Sequence, residues 1–70
     1  MDPYQIEEEI ARAYAAFLEG NSTRALAICD QLAVTVSDDP RIATLRAEAL
    51  MQNRAWDEAL AEAARAAKIA

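Results

Sequence analysis

Histidine is absent from this chain of 70 residues, and glycine and cysteine each occur once. Without histidine the chain lacks the commonest general base and metal ligand, and a single cysteine argues against a soft-metal site. One glycine cannot build the glycine-rich loop that cradles a phosphate group. These absences argue against an enzyme, and we expect neither a metal nor a cofactor.

Basic charge and long apolar runs are also scarce. The 7 lysines and arginines stand against 12 aspartates and glutamates, for a net charge of −5, whereas binding to nucleic acid needs a basic stripe. No apolar run approaches the length of a membrane span, and no basic segment followed by an apolar stretch opens the chain. We therefore expect no nucleic-acid partner and no membrane partner.

Cys29 is the single cysteine, so it cannot form a disulfide within the chain. Its isolation suits a reducing compartment, and we expect a cytoplasmic protein. The residue lies among Ala25, Leu26 and Leu32 in a helical pattern. This pattern favours a buried thiol that acts as a small hydrophobic side chain over a reactive nucleophile.

Residues that favour helices are abundant, with 18 alanines and frequent leucine, glutamate and arginine. Asp2-Pro3 and Asp39-Pro40 each provide an N-cap followed by proline at the first helical position. Gly20 suits the residue after a helix C-terminus, where positive φ is common. The sequence predicts four helices, which run from Pro3 to just before Gly20, from a cap at Asn21 or Ser22 to about Val36, from Pro40 to Gln52, and from about Ala55 to Ile69.

The connections between these helices are short, and Asn53-Arg54 forms the last of them. Turns of about two to four residues between helices make the neighbours antiparallel. We therefore predict an all-α fold in which two helix–turn–helix hairpins form a single domain over residues 1–70.

An internal repeat relates the two predicted hairpins. A period of this length is typical of stacked helix–turn–helix units, which commonly bind other proteins. At an offset of 34 residues the matching pairs are Arg12/Arg46, Ala13/Ala47, Ala15/Ala49, Ala25/Ala59, Leu26/Leu60, Ala27/Ala61 and Ala33/Ala67.

The pattern resembles the tetratricopeptide repeat (TPR) family. Small residues stand where the two helices of a TPR cross, Gly20 stands at its turn and Trp56 on its aromatic position, although Arg12 and Arg46 replace a preferred leucine. The resemblance implies two repeats, residues 3–36 and 40–69, stacked as a short right-handed solenoid. The small residues that carry it are Ala13, Ala25, Ala47, Ala59 and Ala66.

The TPR register implies an inner, ligand-facing side on the first helix of each repeat. Tyr14 is its favoured contact, because the ring binds apolar surface while the hydroxyl tolerates a wet rim. Arg46 is expected to join the charged residues that set register around the rim. The residues implied as partner-binding are Glu7, Ile10, Tyr14, Phe17, Arg41, Thr44, Glu48 and Met51.

Two interpretations of the apolar stripe on the first helix stay open. Ile10, Tyr14 and Phe17 share one helical face, which suits either an exposed groove or a core in which Ile6, Ile10, Ala13 and Phe17 meet the second helix. Trp56 is interpreted as a packing residue at the turn rather than a ligand contact.

The last helix offers a second surface, because a solenoid end without a polar cap tends to associate. We expect self-association or stacking here, which makes a homo-oligomer an alternative. Glu58 and Glu62 lie one turn apart and are expected to face solvent rather than to do acid–base work. The residues expected on the stacking face are Leu60, Ala63, Ala64, Ala67 and Ile69.

These observations favour a non-enzymatic module that binds a helical or extended segment of a partner protein or peptide, as a chaperone or adaptor. The second repeat is also somewhat similar to the small TPR chaperones of bacterial type III secretion. The alternative is a structural or dimerisation module, including a designed or truncated TPR.

Overall fold

The computed structural model describes residues 2–36 and 38–69, and this part of the chain is all-α. Over these residues it contains no strand and four helices, which are α1 (Pro3–Leu18), α2 (Ser22–Thr35), α3 (Pro40–Gln52) and α4 (Trp56–Ile69). The predicted helical fold is confirmed, and the predicted helix ends are correct to within one residue. The predicted domain limits at residues 1 and 70 fall outside the described residues.

The predicted N-caps form through short side-chain hydrogen bonds. Asp2 accepts from the backbone N–H of Gln5 at 2.9 Å, and the Gln5 side chain accepts from the backbone of Asp2 at 3.2 Å. Asn21, and not Ser22, caps α2, and Asp39 caps α3. Each cap satisfies backbone donors that the first helical turn leaves without a carbonyl partner.

The two turns repeat each other in detail, 34 residues apart. Gly20 has φ of 80° and Arg54 has φ of 61°, so both take the left-handed conformation that ends a helix. In each turn this residue donates to the carbonyl three residues earlier at 3.0 Å, and the next N–H reaches the carbonyl five residues earlier at 2.8 or 2.9 Å. The internal repeat is therefore a property of the backbone as well as of the sequence.

Helix α3 lies at the centre of the packing. It contacts α4, α2 and α1, while α1 packs on α2, and within the described residues α4 contacts α3 alone. Connections of three residues, 19–21 and 53–55, join α1 to α2 and α3 to α4, which makes each pair an antiparallel hairpin. The main core forms where the first three helices meet, from Ala13, Cys29, Leu32, Ile42 and Leu45.

Small residues allow the helices to approach closely. Ala13, Ala25 and Ala49 are fully buried, and Ala16 joins Ala25 and Ala49 in a second apolar cluster between α1, α2 and α3. The five small residues on which the sequence comparison depended are all buried. Close approach of this kind removes apolar surface from water with little loss of side-chain entropy.

A groove between helices α1 and α3

Two polar contacts hold α1 and α3 side by side. Arg41 donates from Nη1 to Glu7 Oε1 at 2.6 Å, and Gln52 donates from Nε2 to the Phe17 carbonyl at 2.9 Å. The first contact lies near the beginning of both helices and the second near their ends. The two helices therefore run in the same direction, and the predicted partner-binding residues come together along the seam.

Arg41 is held by a second acid as well as by Glu7. Its Nε and Nη2 donate to the two carboxylate oxygens of Asp39 at 3.1 and 2.8 Å. The hydrogen bonds from the Arg41 side chain hold the pKa of Asp39 below its ordinary value. The three charged groups thus satisfy one another at the edge of the seam.

Two depressions follow the seam and share Glu48. We call them together the central groove. The first has a volume of about 420 Å³ and the second about 430 Å³. The first is lined by Ile10, Tyr14, Pro40, Arg41, Thr44, Leu45 and Glu48. The second is lined by Phe17, Glu48, Met51, Gln52 and Trp56.

The predicted partner-binding residues divide between groove and core. Tyr14 and Met51 are 50% and 53% exposed, whereas Ile10 and Phe17 are half-buried and pack against the main core. The Tyr14 and Phe17 rings are stacked, with centroids 6.3 Å apart and planes inclined by 30°. Both interpretations of the stripe hold in part, because one side of Ile10 and Phe17 supports the core while the other lines the groove.

Glu48 is exposed at the point where the depressions meet. Among the described residues it makes no hydrogen bond and no ion pair. It also lines a third depression, between α3 and α4, with Met51, Ala63 and Ala67. A charged group is thus surrounded by largely apolar walls.

The expected rim position of Arg46 is wrong. Its Nε donates to Asp30 on α2 at 2.9 Å and its Nη1 to Glu62 on α4 at 3.2 Å, away from the central groove. The arginine that replaces the preferred leucine of helix A therefore joins α2, α3 and α4 through charge. This arrangement leaves Glu7, Arg41 and Glu48 as the charged residues predicted for the groove that lie beside it.

The expectation that Glu62 faces solvent is also wrong. The residue is 7% exposed and lies between two arginines, with Arg65 Nε at 2.6 Å and Arg46 Nη1 at 3.2 Å. The hydrogen bond from Arg65 is the main cause that lowers the pKa of Glu62. Position 62 shares the inner side of α4 with Ala59 and Ala66, and the arginines make burial of its charge tolerable.

The outer face of α4 is apolar and open. Leu60 is 74% exposed, and Ala63, Ala64 and Ala67 are exposed beside it. Ile69 does not belong to this face, because it lies nine residues from Leu60, half a turn around the helix, and is half-buried. The four remaining residues are called the α4 face below.

Trp56 lies between the central groove and the α4 face. Its side chain is 61% exposed, so the packing role expected for it at the turn is wrong. The sequence carried a signal for the observed position, because Trp56 precedes Leu60 by one helical turn and so shares its side of α4. Trp56 and Gln52 are the residues of the second depression that the TPR register did not place among the partner-binding positions.

Cys29 is fully buried, as predicted. Burial raises the pKa of its thiol to about 11, and the nearby carboxylate of Asp30 acts in the same direction. The thiol therefore carries little negative charge at neutral pH, which lowers its reactivity as a nucleophile.

Within residues 2–36 and 38–69, no group of three or more acidic or cysteine side chains could hold a metal ion. None of the helices in that part of the chain combines the length and the apolar character that crossing a membrane requires. Comparison of the chain with protein-family models, curated proteins and solved structures gives no match in any of the three.

Proposed function

We propose that this chain is a non-enzymatic protein-binding module that holds a helical or extended segment of a partner protein in its central groove. The observation that carries the proposal is the exposure of Tyr14, Met51 and Trp56 along one continuous depression. Large apolar and aromatic side chains that stay exposed together are typical of surfaces that bind other proteins. Aromatic anchors contribute most when a partner covers them and excludes water.

The proposal includes membership of the TPR family. The recurrence of the same turn after 34 residues supports it, as do the burial of the small residues and the contact of α3 with both α1 and α2. In this view α1 with α2, and α3 with α4, are two stacked repeats. A chaperone or adaptor in the cytoplasm fits the exposed groove and the buried thiol, because a single reduced cysteine suits that compartment.

A site-specific crosslinking experiment tests the groove. A photoreactive amino acid at position 14 or 51 should capture a defined partner in cells, whereas the same group at position 34 on α2 should not, since Val34 is exposed and remote in the fold. With the purified partner, Tyr14→Ala should weaken binding by about tenfold or more. Val34→Ala is the matched control and should leave affinity unchanged.

Unchanged affinity after Tyr14→Ala and Met51→Ala together, with the helical circular dichroism of the protein intact, would show that the partner binds elsewhere. Capture at position 34 with the same yield as at position 14 would contradict the proposal in the same way.

The α4 face supports a second candidate, self-association. Leu60 is exposed beside three alanines, which would let the α4 helices of two copies approach closely. Sedimentation equilibrium should then give a dimer that Leu60→Glu dissociates and Val34→Glu does not. A monomer at high micromolar concentration would remove this candidate and leave the groove untouched.

A further inference from the structure

Glu48 differs from the other charged groups beside the central groove. Arg41 is satisfied by Glu7 and Asp39, whereas Glu48 has no partner of either kind among the described residues. Its carboxylate stands at the junction of three depressions whose walls are mainly apolar. A partner that covers this surface must either remove the carboxylate from water without compensation or supply a charge of opposite sign.

The surroundings of Glu48 suit a long cationic side chain. Tyr14 lines the depression on one side and Trp56 the depression on the other, and both rings are at least half exposed. Arginine and lysine bury their apolar stems along such walls while the charged head stays with a carboxylate, and aromatic faces attract the cation further. The net charge of −5 favours approach of a basic partner over an acidic one.

The shape of the surface suits a helix. Within the chain, α3 already lies against two helices, α1 and α2, with apolar residues on one face and charged residues beside them. The depression between α3 and α4 is formed in the same way, and it continues into the central groove through Glu48 and Met51. Residues three or four apart on a docked helix would reach the depressions on either side of Glu48.

We infer that the central groove takes an amphipathic helix whose apolar face carries one arginine or lysine. This inference rests on the proposed function, because it specifies the partner of the same groove. The cation pairs with Glu48 between Tyr14 and Trp56. Apolar side chains about one turn before and one turn after it occupy the depressions lined by Ile10 and Met51.

Two synthetic peptides of identical sequence, apart from one central residue on the apolar face, provide the test. One peptide carries arginine there and the other glutamate, and both lack tryptophan. The fluorescence of Trp56, the single tryptophan of the chain, reports binding to the unmodified protein and to Glu48→Gln, Glu48→Lys and the control Glu58→Gln. Glu58 is exposed and carries the same charge outside the groove.

The arginine peptide should bind the unmodified protein at least about tenfold more tightly than the glutamate peptide. Glu48→Gln should remove most of this preference, Glu48→Lys should reverse it, and Glu58→Gln should preserve it. An arginine preference that persists in Glu48→Gln would overturn the role of Glu48 while leaving the groove as a binding site. Failure of both peptides to bind any folded variant would overturn the inference and count against the proposed function as well.

Discussion

Arg41 donates a hydrogen bond of 2.6 Å to Glu7, the residue that lies 34 positions before it. The two residues hold equivalent places in the internal repeat, and the packing of α1 beside α3 brings those places into contact. An exact repeat would put two like charges together here, which would be repulsive. Divergence of the repeat at this position therefore helps the two hairpins to pack.

Charge exchange tests this relationship. Arg41→Glu should weaken folding, because Glu7, Asp39 and the new carboxylate would repel one another. Glu7→Arg combined with Arg41→Glu should recover part of the loss. Chemical denaturation gives the coupling between the two sites. Both side chains are more than half exposed, so the coupling should be small and should shrink further in high salt. A coupling that does not respond to salt would contradict the assignment.

The two left-handed turn residues should respond in opposite directions to substitution. Gly20→Ala should destabilise the fold by about 1 kcal/mol, because alanine is strained at positive φ even though a Cβ there would meet no neighbouring atom. Arg54→Gly should stabilise it by roughly 0.5 to 1 kcal/mol, because it relieves the same strain in the second turn. Urea midpoints of both variants measure the effects, and equal signs would count against the shared geometry.

Glu62 should matter to stability, unlike Glu58 one turn earlier. Glu62→Gln removes the charge that pairs with Arg46 and Arg65 but keeps the shape of the side chain. We expect a loss of about 1 to 2 kcal/mol in the free energy of unfolding. The matched control Glu58→Gln lies on the exposed side of α4 and should stay within about 0.5 kcal/mol of the parent. Equal effects of the two variants would contradict the buried position of Glu62.

Acid should destabilise the protein through Asp39 and Glu62. The pKa of each is lowered in the fold, from ordinary values of 3.8 and 4.5, so the unfolded chain takes up these protons first. Their contribution is therefore present in full above those ordinary values and is lost as the pH falls through the lower folded values. Melting temperatures measured from about pH 7 down to about pH 3 should fall less in Glu62→Gln than in the parent.

Asp39→Asn provides a second check on the acid dependence. Asparagine also caps helices well, so this variant keeps the cap of α3 and removes the titrating charge. Its melting temperature should likewise change less with acid than that of the parent. A steeper acid dependence in either variant would reverse the predicted sign.

The Cys29 thiol should be unreactive while the protein is folded. Its burial and its pKa of about 11 limit both access and the thiolate fraction. Labelling with a disulfide reagent at neutral pH should be slow in buffer and should accelerate with added urea, in step with unfolding. Rapid labelling of the folded protein would show that the core opens easily around α2.

Local chemistry predicts the helix ends well in this chain. Asp2, Asn21 and Asp39 can form their caps with backbone groups two or three residues away, and Gly20 marks a turn because few other residues accept its φ. Short-range signals of this kind need no knowledge of the tertiary structure. The start and end of each helix were therefore accessible from the sequence.

The errors concern side chains whose environment depends on distant residues. Glu62 is buried because Arg46, sixteen residues earlier, turns toward it, and spacing within α4 could not show this. Trp56 is exposed because no helix covers it among the described residues. The position of Ile69 was open to a simpler check, since its angle around α4 already separates it from Leu60.

The central position of α3 has a consequence for the cooperativity of folding. It touches each of the other three described helices, whereas α4 depends on α3 alone. Detachment of α4 breaks one interface and leaves the three-helix core of α1, α2 and α3 assembled. Loss of α3 breaks every interface except that between α1 and α2. The free energy of unfolding is thus distributed unequally, and the network of helix contacts has a single branching point.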